Sequence, residues 1–430
     1  MNLYTFIFAD ELQIDYGNVS FGAEPPQAAG QSKGLDFVIG DVIPDADGYT
    51  VYGLRRTEAH IPQVWKARTK DGMTFSDAEL LFELPPPDNR WLAGDVAVAG
   101  DRIFCMNCDC GNPVGAGHSF HVFAGTDDGG WSQLNSEPVY KGQDAFSLIW
   151  DGQQFVCYQT SYQPYRKRFA DNMGDNIRRV LHIRTSPDCL EWTPGGSFGV
   201  DGPYLPDEQL ITPDADDPPE TEFYKFRPFR QDGFWAGALV KYISQPPILP
   251  KSGRFPHGPF LGCEWWVSRN GRDWQRPVRH TSNLDTLPLQ SSYFMHKPFR
   301  VGHEMRWCLR DAVYSYDYRR RFYAYCPANA VMTTPPLRFE IEKPRLHVSF
   351  ESVRLNKQGA LRQGYLMAEL VGQDGKTIEG FEKEKCLHKV SDATTLDLCW
   401  EGRTPASRAD KEPAQLRLHF RDVRIYSLEH

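Results

Sequence analysis

The stretch Ser268-Arg269-Asn270-Gly271-Arg272-Asp273-Trp274 is a tight polar turn closed by an aromatic residue, and the chain repeats it. Asn and Gly readily adopt the backbone angles of hairpin turns, and the aromatic ring can pack back across the hairpin. Three earlier segments have the same form, each after a short apolar run: Thr69–Phe75, Thr126–Trp131 and Thr185–Trp192. Recurrence at intervals of roughly 50 to 80 residues predicts a repeat architecture, with one hairpin in each blade of a β-propeller.

A second pattern sets the number of repeats. Before each turn, alternating β-branched and aromatic residues form a strand pair of the kind found in pleated sheets. The strand pairs begin at Asp36, Trp91, Ala145, Thr221 and Ser292. The fifth pair lacks the aromatic-closed turn and is followed instead by Arg321–Tyr325. These ordered matches predict a five-bladed β-propeller over residues 31–335.

The composition changes near the end of the predicted propeller. Of the 11 Trp residues, only Trp400 lies after the segment Thr333–Pro336. Residues 336–430 read as short alternating runs between polar turns, which predicts an antiparallel β-sandwich. Residues 1–30 contain a strand that we expect to pack on the sandwich or to close the propeller, because alone it would expose its edge. The predicted fold class is therefore all-β, a five-bladed propeller followed by an antiparallel sandwich.

Charge and hydropathy exclude several classes of partner. The net charge of −8 gives no reason to expect nucleic acid or an anionic membrane as partner. No apolar stretch is long enough to span a bilayer. The apolar residues 1–9 are not preceded by Lys or Arg, so we expect no signal peptide in this chain. A cytoplasmic location and export with a removed leader both remain open, and the sequence does not indicate an oligomeric state.

The cysteines do not form a metal-binding pattern. The ten Cys residues contain one cluster, Cys105-x-x-Cys108-x-Cys110, and no second ligand pair follows at the spacing of a zinc site. We therefore expect no metal in the functional site and no cofactor.

Several segments together resemble one family of proteins. They are Phe6–Ile14, Asp217–Tyr224, Ser268–Trp274, Thr333–Phe339, Gly380–Phe381 and Arg421–Ser427. The chain resembles bacterial proteins described as glycoside hydrolase family 32/43-like, which have a five-bladed propeller followed by a β-sandwich. The resemblance implies a glycosidase with a carbohydrate substrate, and exo-action because five-blade funnels form closed pockets.

Two other functions stay open. The invertase-type Asn-Asp-Pro-Asn and Arg-Asp-Pro signatures are absent from the sequence, which keeps a non-catalytic carbohydrate-binding propeller as the alternative. The turn Ser268–Trp274 is similar to the Asp-box of six-bladed sialidases, but the predicted count of five blades argues against that fold.

Glycoside hydrolysis needs one carboxylic acid and one carboxylate. In the resembled hydrolases the acids come from successive blades in the order Asp, Asp, Glu, which implies Asp36, Asp144 and Glu222 as catalytic residues. The apolar neighbours Phe223 and Tyr224 favour Glu222 as the general acid, and Asp36 is then the base or nucleophile. The alternative is that these acids cap turns or pair with nearby arginines.

Six further residues are predicted to contact substrate: Asp95, Trp91, Tyr224, Arg227, His118 and His296. Asp95 is a substitute for the middle acid, and Trp91 and Tyr224 can stack on the apolar face of a sugar. Arg227 and His118 are polar candidates. For His296 the resemblance implies a nearby calcium ion or water network, and a histidine of the core is the alternative.

Overall fold

The structure is a computed structural model. It describes residues 2–87, 90–110, 118–168, 174–196, 198, 203–231, 233–243, 260–278, 296–309, 312–354, 358–359, 361–389, 391–408 and 411–430. Regular structure in these residues consists of β-strands and short 3-10 turns, and every paired strand runs antiparallel to its neighbour. The start of the fifth predicted strand pair, at Ser292, lies outside the described residues.

Four strands precede the repeats: β1 (Leu3–Thr5), β2 (Gln13–Tyr16), β3 (Ser20–Ala23) and β4 (Gln27–Gln31). Blade 1 then contains β5 (Val38–Asp45), β6 (Gly48–Arg56), β7 (Pro62–Thr69) and β8 (Ser76–Glu83). Blade 2 contains β9 (Trp91–Ala99), β10 (Arg102–Asp109), β11 (His118–Thr126), β12 (Gly129–Gln133) and the short β13 (Lys141–Gly142).

Blade 3 contains β14 (Phe146–Trp150), β15 (Phe155–Pro164), β16 (Ile177–Ser186) and β17 (Leu210–Ile211). Blade 4 contains β18 (Thr221–Gln231), β19 (Phe234–Ile243) and β20 (Phe260–Ser268). Blade 5 contains β21 (Phe299–Val301), β22 (Glu304–Leu309) and β23 (Ala312–Asp317), and the N-terminal strand β4 pairs with β23 as its fourth strand.

Apolar side chains join each blade to the next. The shared clusters are represented by Tyr52 with Val96, Met106 with Phe146, Tyr158 with Phe226, and Trp265 with Trp307. Phe299 of blade 5 packs in a cluster with Phe37 beside blade 1. Because the last sheet packs on the first, the described blades form a closed ring, which is the arrangement of a propeller.

The repeated turns share one hydrogen-bonding geometry. In three of them a side-chain oxygen accepts two backbone N–H groups: Asp71 from Met73 and Thr74, Asp188 from Leu190 and Glu191, and Asn270 from Arg272 and Asp273, all at 2.8–2.9 Å. The closing indoles of Trp192 and Trp274 donate to backbone carbonyls of their own turns. The sequence pattern therefore corresponds to a side-chain-stabilised turn.

The remaining strands form a two-sheet sandwich: β24 (Phe322–Cys326), β25 (Ala330–Thr333), β26 (Arg345–Phe350), β27 (Ser352–Arg354), β28 (Leu361–Gln363), β29 (Tyr365–Val371), β30 (Leu387–Lys389), β31 (Thr395–Asp397), β32 (Gln415–Arg421) and β33 (Val423–Glu429). One sheet runs β3-β24-β33-β26-β31 with β1 beside β33, and the other runs β2-β25-β32-β29-β30. The short hairpin β27-β28 stands apart. The 3-10 turns are Asp207–Gln209, Tyr318–Arg320, Lys383–Lys385 and Pro405–Ser407.

The prediction of an all-β protein, with a propeller followed by an antiparallel sandwich, is confirmed. The strand pairing also gives the positions of the N-terminal strands, which serve both parts of the fold. Strands β1 to β3 pair with sandwich strands, whereas β4 completes blade 5. Strands β24 and β25, before residue 336, already pair with sandwich strands β33 and β32. No helix in the described part of the chain is both long and apolar enough to cross a bilayer.

Candidate functional site

A cavity of about 720 Å³ opens where the first strands of all the blades come together. Its lining includes Asp36 from blade 1, Gly94 from blade 2, Asp144 from blade 3, Lys225 from blade 4 and His296 from blade 5. We call it the five-strand cavity. Its volume is within the range of roughly 300–1,000 Å³ that is typical of small-molecule sites.

Buried charge pairs lie next to this cavity, on the strands that line it. The Arg227 guanidinium donates to the Asp95 carboxylate and, at 2.9 Å, to the backbone carbonyl of Ile39. Asp95 also accepts the backbone N–H of Leu148 in blade 3 at 2.9 Å. Arg227 and Asp95 are 4% and 6% exposed, so this pair ties four blades together across the centre of the ring.

A second buried carboxylate, Asp41 on β5, also links neighbouring blades. The Asp41 carboxylate accepts the backbone N–H of Val98 at 2.8 Å and an ammonium N–H from Lys297. The strands continue past these charges to a second depression of about 540 Å³, which is lined by Trp150 and Trp235 among others. We call it the opposite depression. The charge pairs therefore separate the two mouths of the ring.

Two of the predicted acids line the five-strand cavity. The Asp36 side chain is 51% exposed, and its carboxylate accepts a hydrogen bond from Arg55. Asp144 is half-buried and lies two residues before β14. Both residues precede the first strand of their blade, which is why the two carboxylates meet at the same end of the ring.

The third predicted acid lies elsewhere. Glu222 is completely buried, and its carboxylate forms ion pairs with Lys167 at 2.9 Å and Arg179 at 2.7 Å. The backbone N–H of Arg179 also donates to it at 3.0 Å. Glu222 is not among the residues that line the five-strand cavity. This placement differs from the expectation, because a β-bulge between Phe223 and Lys225 interrupts the alternation of β18.

The predicted substrate-binding residues divide in the same way. Tyr224 and His296 line the cavity. Asp95 and Arg227 lie below it in the buried pair described above. Trp91 is 4% exposed and packs edge-to-face against Phe123, with its indole N–H donated to the carbonyl of Pro85. The Trp91 ring therefore joins two blades and offers no stacking surface, contrary to the expectation.

The two candidate histidines are held as neutral bases. Burial, and secondarily the charge of Arg227, lowers the pKa of His296 to about 3. Its Nδ1 accepts the backbone N–H of Ile39 at 3.3 Å, so the other ring nitrogen carries the proton. Burial also lowers the pKa of His118, against the opposing effect of Asp144 and Asp109. His118 is not among the lining residues.

The structure adds cavity residues that the sequence analysis did not select. Lys225 is half-buried, and burial together with the charge of Arg227 lowers its pKa to about 8, opposed by Asp95 and Asp144. Arg55 and Arg56 line the side formed by blade 1. Asn107 is fully buried, and its Oδ1 has no hydrogen-bond partner among the described residues. A side chain at Gly94 would lie 2.0 Å from this oxygen, so glycine is needed there.

Metal ligands do not gather in the described residues, where no three His, Cys, Asp or Glu side chains form a group able to hold an ion. Cys105 and Cys108 are buried in a blade, and burial raises the pKa of both thiols. Both thiols therefore stay protonated inside the blade, where the Cys105 sulfur accepts a hydrogen bond from the Asn107 amide at 2.9 Å.

Comparisons with known proteins find only distant similarity. No family model matches the chain, and no curated protein matches it. Among solved structures, a fructofuranosidase from Schwanniomyces occidentalis, complexed with fructosylnystose, aligns with TM-score 0.38 and 9% identity, covering 94% of this chain and 96% of its own. An endo-arabinase from Bacteroides thetaiotaomicron aligns with TM-score 0.36 and 10% identity, covering 67% of this chain and 96% of its own.

A third structure is a β-xylosidase/α-arabinofuranosidase from a compost metagenome in complex with xylotriose. It aligns with TM-score 0.35 and 10% identity, covering 82% of this chain and 98% of its own. These structural neighbours are glycoside hydrolases, but the likeness is too distant to assign an activity to this chain.

Proposed function

We propose that the protein binds a glycan in the five-strand cavity and hydrolyses a glycosidic bond there. The observation that carries this proposal is the presence of two carboxylates, Asp36 and Asp144, in one cavity that all the blades line. Glycoside hydrolysis uses such a pair, one to protonate the leaving oxygen and one to activate water or attack the sugar. We assign Asp144 as the acid and Asp36 as the base or nucleophile.

The closed lower end supports action at a chain end. The buried Arg227–Asp95 pair joins strands of several blades beside the cavity, and we propose that it closes the centre of the ring below Lys225 and His296. A glycan that enters from the open side therefore stops inside the cavity and exposes its terminal bond to the carboxylates. Tyr224 supplies an aromatic ring in the wall, suited to the apolar face of a sugar.

The test is a screen of oligosaccharides and polysaccharides for released sugars, followed by variants on the best substrate. Asp144→Asn and Asp36→Asn each lower turnover by a factor of about 100 or more, because each removes a group needed for proton transfer or attack. Asp101→Asn, on an exposed hairpin turn, is the matched control and keeps full turnover. Retained turnover in both cavity variants, with the fold intact by thermal denaturation, contradicts the proposal.

A second candidate function is glycan binding without hydrolysis. It is favoured by one observation: blade 4 presents the cation Lys225 to the cavity, and the carboxylate of that strand, Glu222, is buried elsewhere. Calorimetry distinguishes the two functions. A glycan that binds with heat and is recovered intact after long incubation indicates a binding protein.

A further inference from the structure

The described lining residues of the five-strand cavity carry more positive than negative charge, although the whole chain is acidic. Among the described lining residues, the cations Arg55, Arg56 and Lys225 stand against the carboxylates Asp36 and Asp144. The described lining residue from the fifth blade, His296, is neutral. Since the chain has a net charge of −8, the positive balance of the cavity is a local feature of the site and does not follow from overall composition.

The two arginines are tied to the wall of the cavity. The Arg55 guanidinium pairs with Asp36, and Arg56 donates to the backbone carbonyl of Trp91 at 2.9 Å. Below the cavity, Arg227 is held by Asp95 and by the carbonyl of Ile39. These contacts hold Arg55, Arg56 and Arg227 in place beside the cavity.

Lys225 lies on β18 of blade 4 and lines the same cavity. It precedes Arg227 by two residues, and the carboxylates of Asp144 in blade 3 and Asp95 in blade 2 lie close enough to act on its charge. Burial and the nearby Arg227 guanidinium both disfavour the charged form of the Lys225 ammonium group. They lower the pKa of Lys225 to about 8. A negative group on the ligand would stabilise the charged form of Lys225.

We infer that the five-strand cavity recognises a sugar that carries a negatively charged substituent, and that Lys225 is the residue that binds this substituent. The inference rests on the proposed function for the glycan itself and adds the class of sugar. The shared chemistry is an anionic group on the ring, either the carboxylate of a uronic acid or a sulfate ester.

The test measures affinity for matched ligands by calorimetry at pH 7. The ligands are disaccharides ending in glucuronic acid, in galactose 6-sulfate, and in the neutral glucose and galactose. Wild-type protein binds at least one anionic ligand about 10-fold or more tightly than its neutral counterpart, in keeping with a charge-assisted hydrogen bond. The ligand that shows the preference identifies the substituent.

Two variants separate recognition from packing. Lys225→Met keeps an unbranched side chain of nearly the same length without the charge and abolishes the preference, whereas Lys225→Arg retains a preference. In wild-type protein the preference falls as the pH rises through about 8, because Lys225 loses its charge there. In Lys225→Arg it does not fall, since arginine stays charged and His296 is neutral over the whole range.

Equal affinity for anionic and neutral ligands overturns the inference, and so does a preference that survives in Lys225→Met. In both cases hydrolysis that depends on Asp144 can persist, so the proposed function then stands alone. Failure of every glycan to bind overturns the inference and the proposed function together.

Discussion

Glu222 is a carboxylate held by buried ion pairs. Its two oxygens lie between the ammonium of Lys167 and the guanidinium of Arg179, and all three side chains are at most 5% exposed. Removing one member of such a buried group leaves the remaining charges poorly compensated in the interior, and this strongly destabilises the folded state. The role of this residue is therefore best tested by stability.

We predict that Glu222→Gln lowers the free energy of unfolding by about 3 to 5 kcal/mol, because Lys167 and Arg179 stay buried with one carboxylate fewer. Chemical denaturation measures the effect. Glu208→Gln, at an exposed position, is the control and changes stability by less than about 0.5 kcal/mol. A stable Glu222→Gln protein without catalytic turnover would instead make Glu222 the general acid.

Residue patterns predicted part of this site. Asp36 and Asp144 could be selected because each precedes the first strand of a blade, and the repeat aligns such positions at one end of the ring. Lys225 could not be selected, because simple alternation groups Glu222 with Tyr224 on one face. The bulge at this point of β18 breaks that alternation, and no residue in the sequence marks it.

At the scale of elements, the turns were the most predictable feature. Asp71, Asp188 and Asn270 each act within their own turn, so a short stretch of sequence contains all the information. The destinations of the N-terminal strands depend on contacts across hundreds of residues. Strand β1 pairs with β33 at the opposite end of the chain, and local sequence gives no register for that pairing.

The strand pairing leads us to propose that the sandwich is built from the N-terminal strands β1 to β3 and from β24 onward. We predict that a fragment of residues 336–430, expressed alone, does not fold. Without β24 and β25, the strands β33 and β32 lose neighbours and expose their edges.

Circular dichroism and thermal melting, applied to the fragment and to the full chain, show whether the fragment folds. We expect no cooperative melting transition in the fragment. A soluble monomer with a sharp melting transition would show that residues 336–430 form an independent domain, as the sequence first indicated.

At the scale of the whole molecule, the ring explains why the site lies where it does. The same strands run from the five-strand cavity, past the buried charges of Asp41, Asp95 and Arg227, to the opposite depression. Both mouths hold aromatic and cationic side chains. Among the described residues, however, the cavity mouth has two lining carboxylates, and the opposite depression has Asp151 as its only acid.

The most direct test of the central claim is a crystal structure of Asp144→Asn protein soaked with the preferred oligosaccharide. We expect sugar density in the five-strand cavity, with the terminal bond beside Asp36 and Asn at position 144. Sugar density in the opposite depression, against Trp150 and Trp235, with the five-strand cavity empty, would contradict the account.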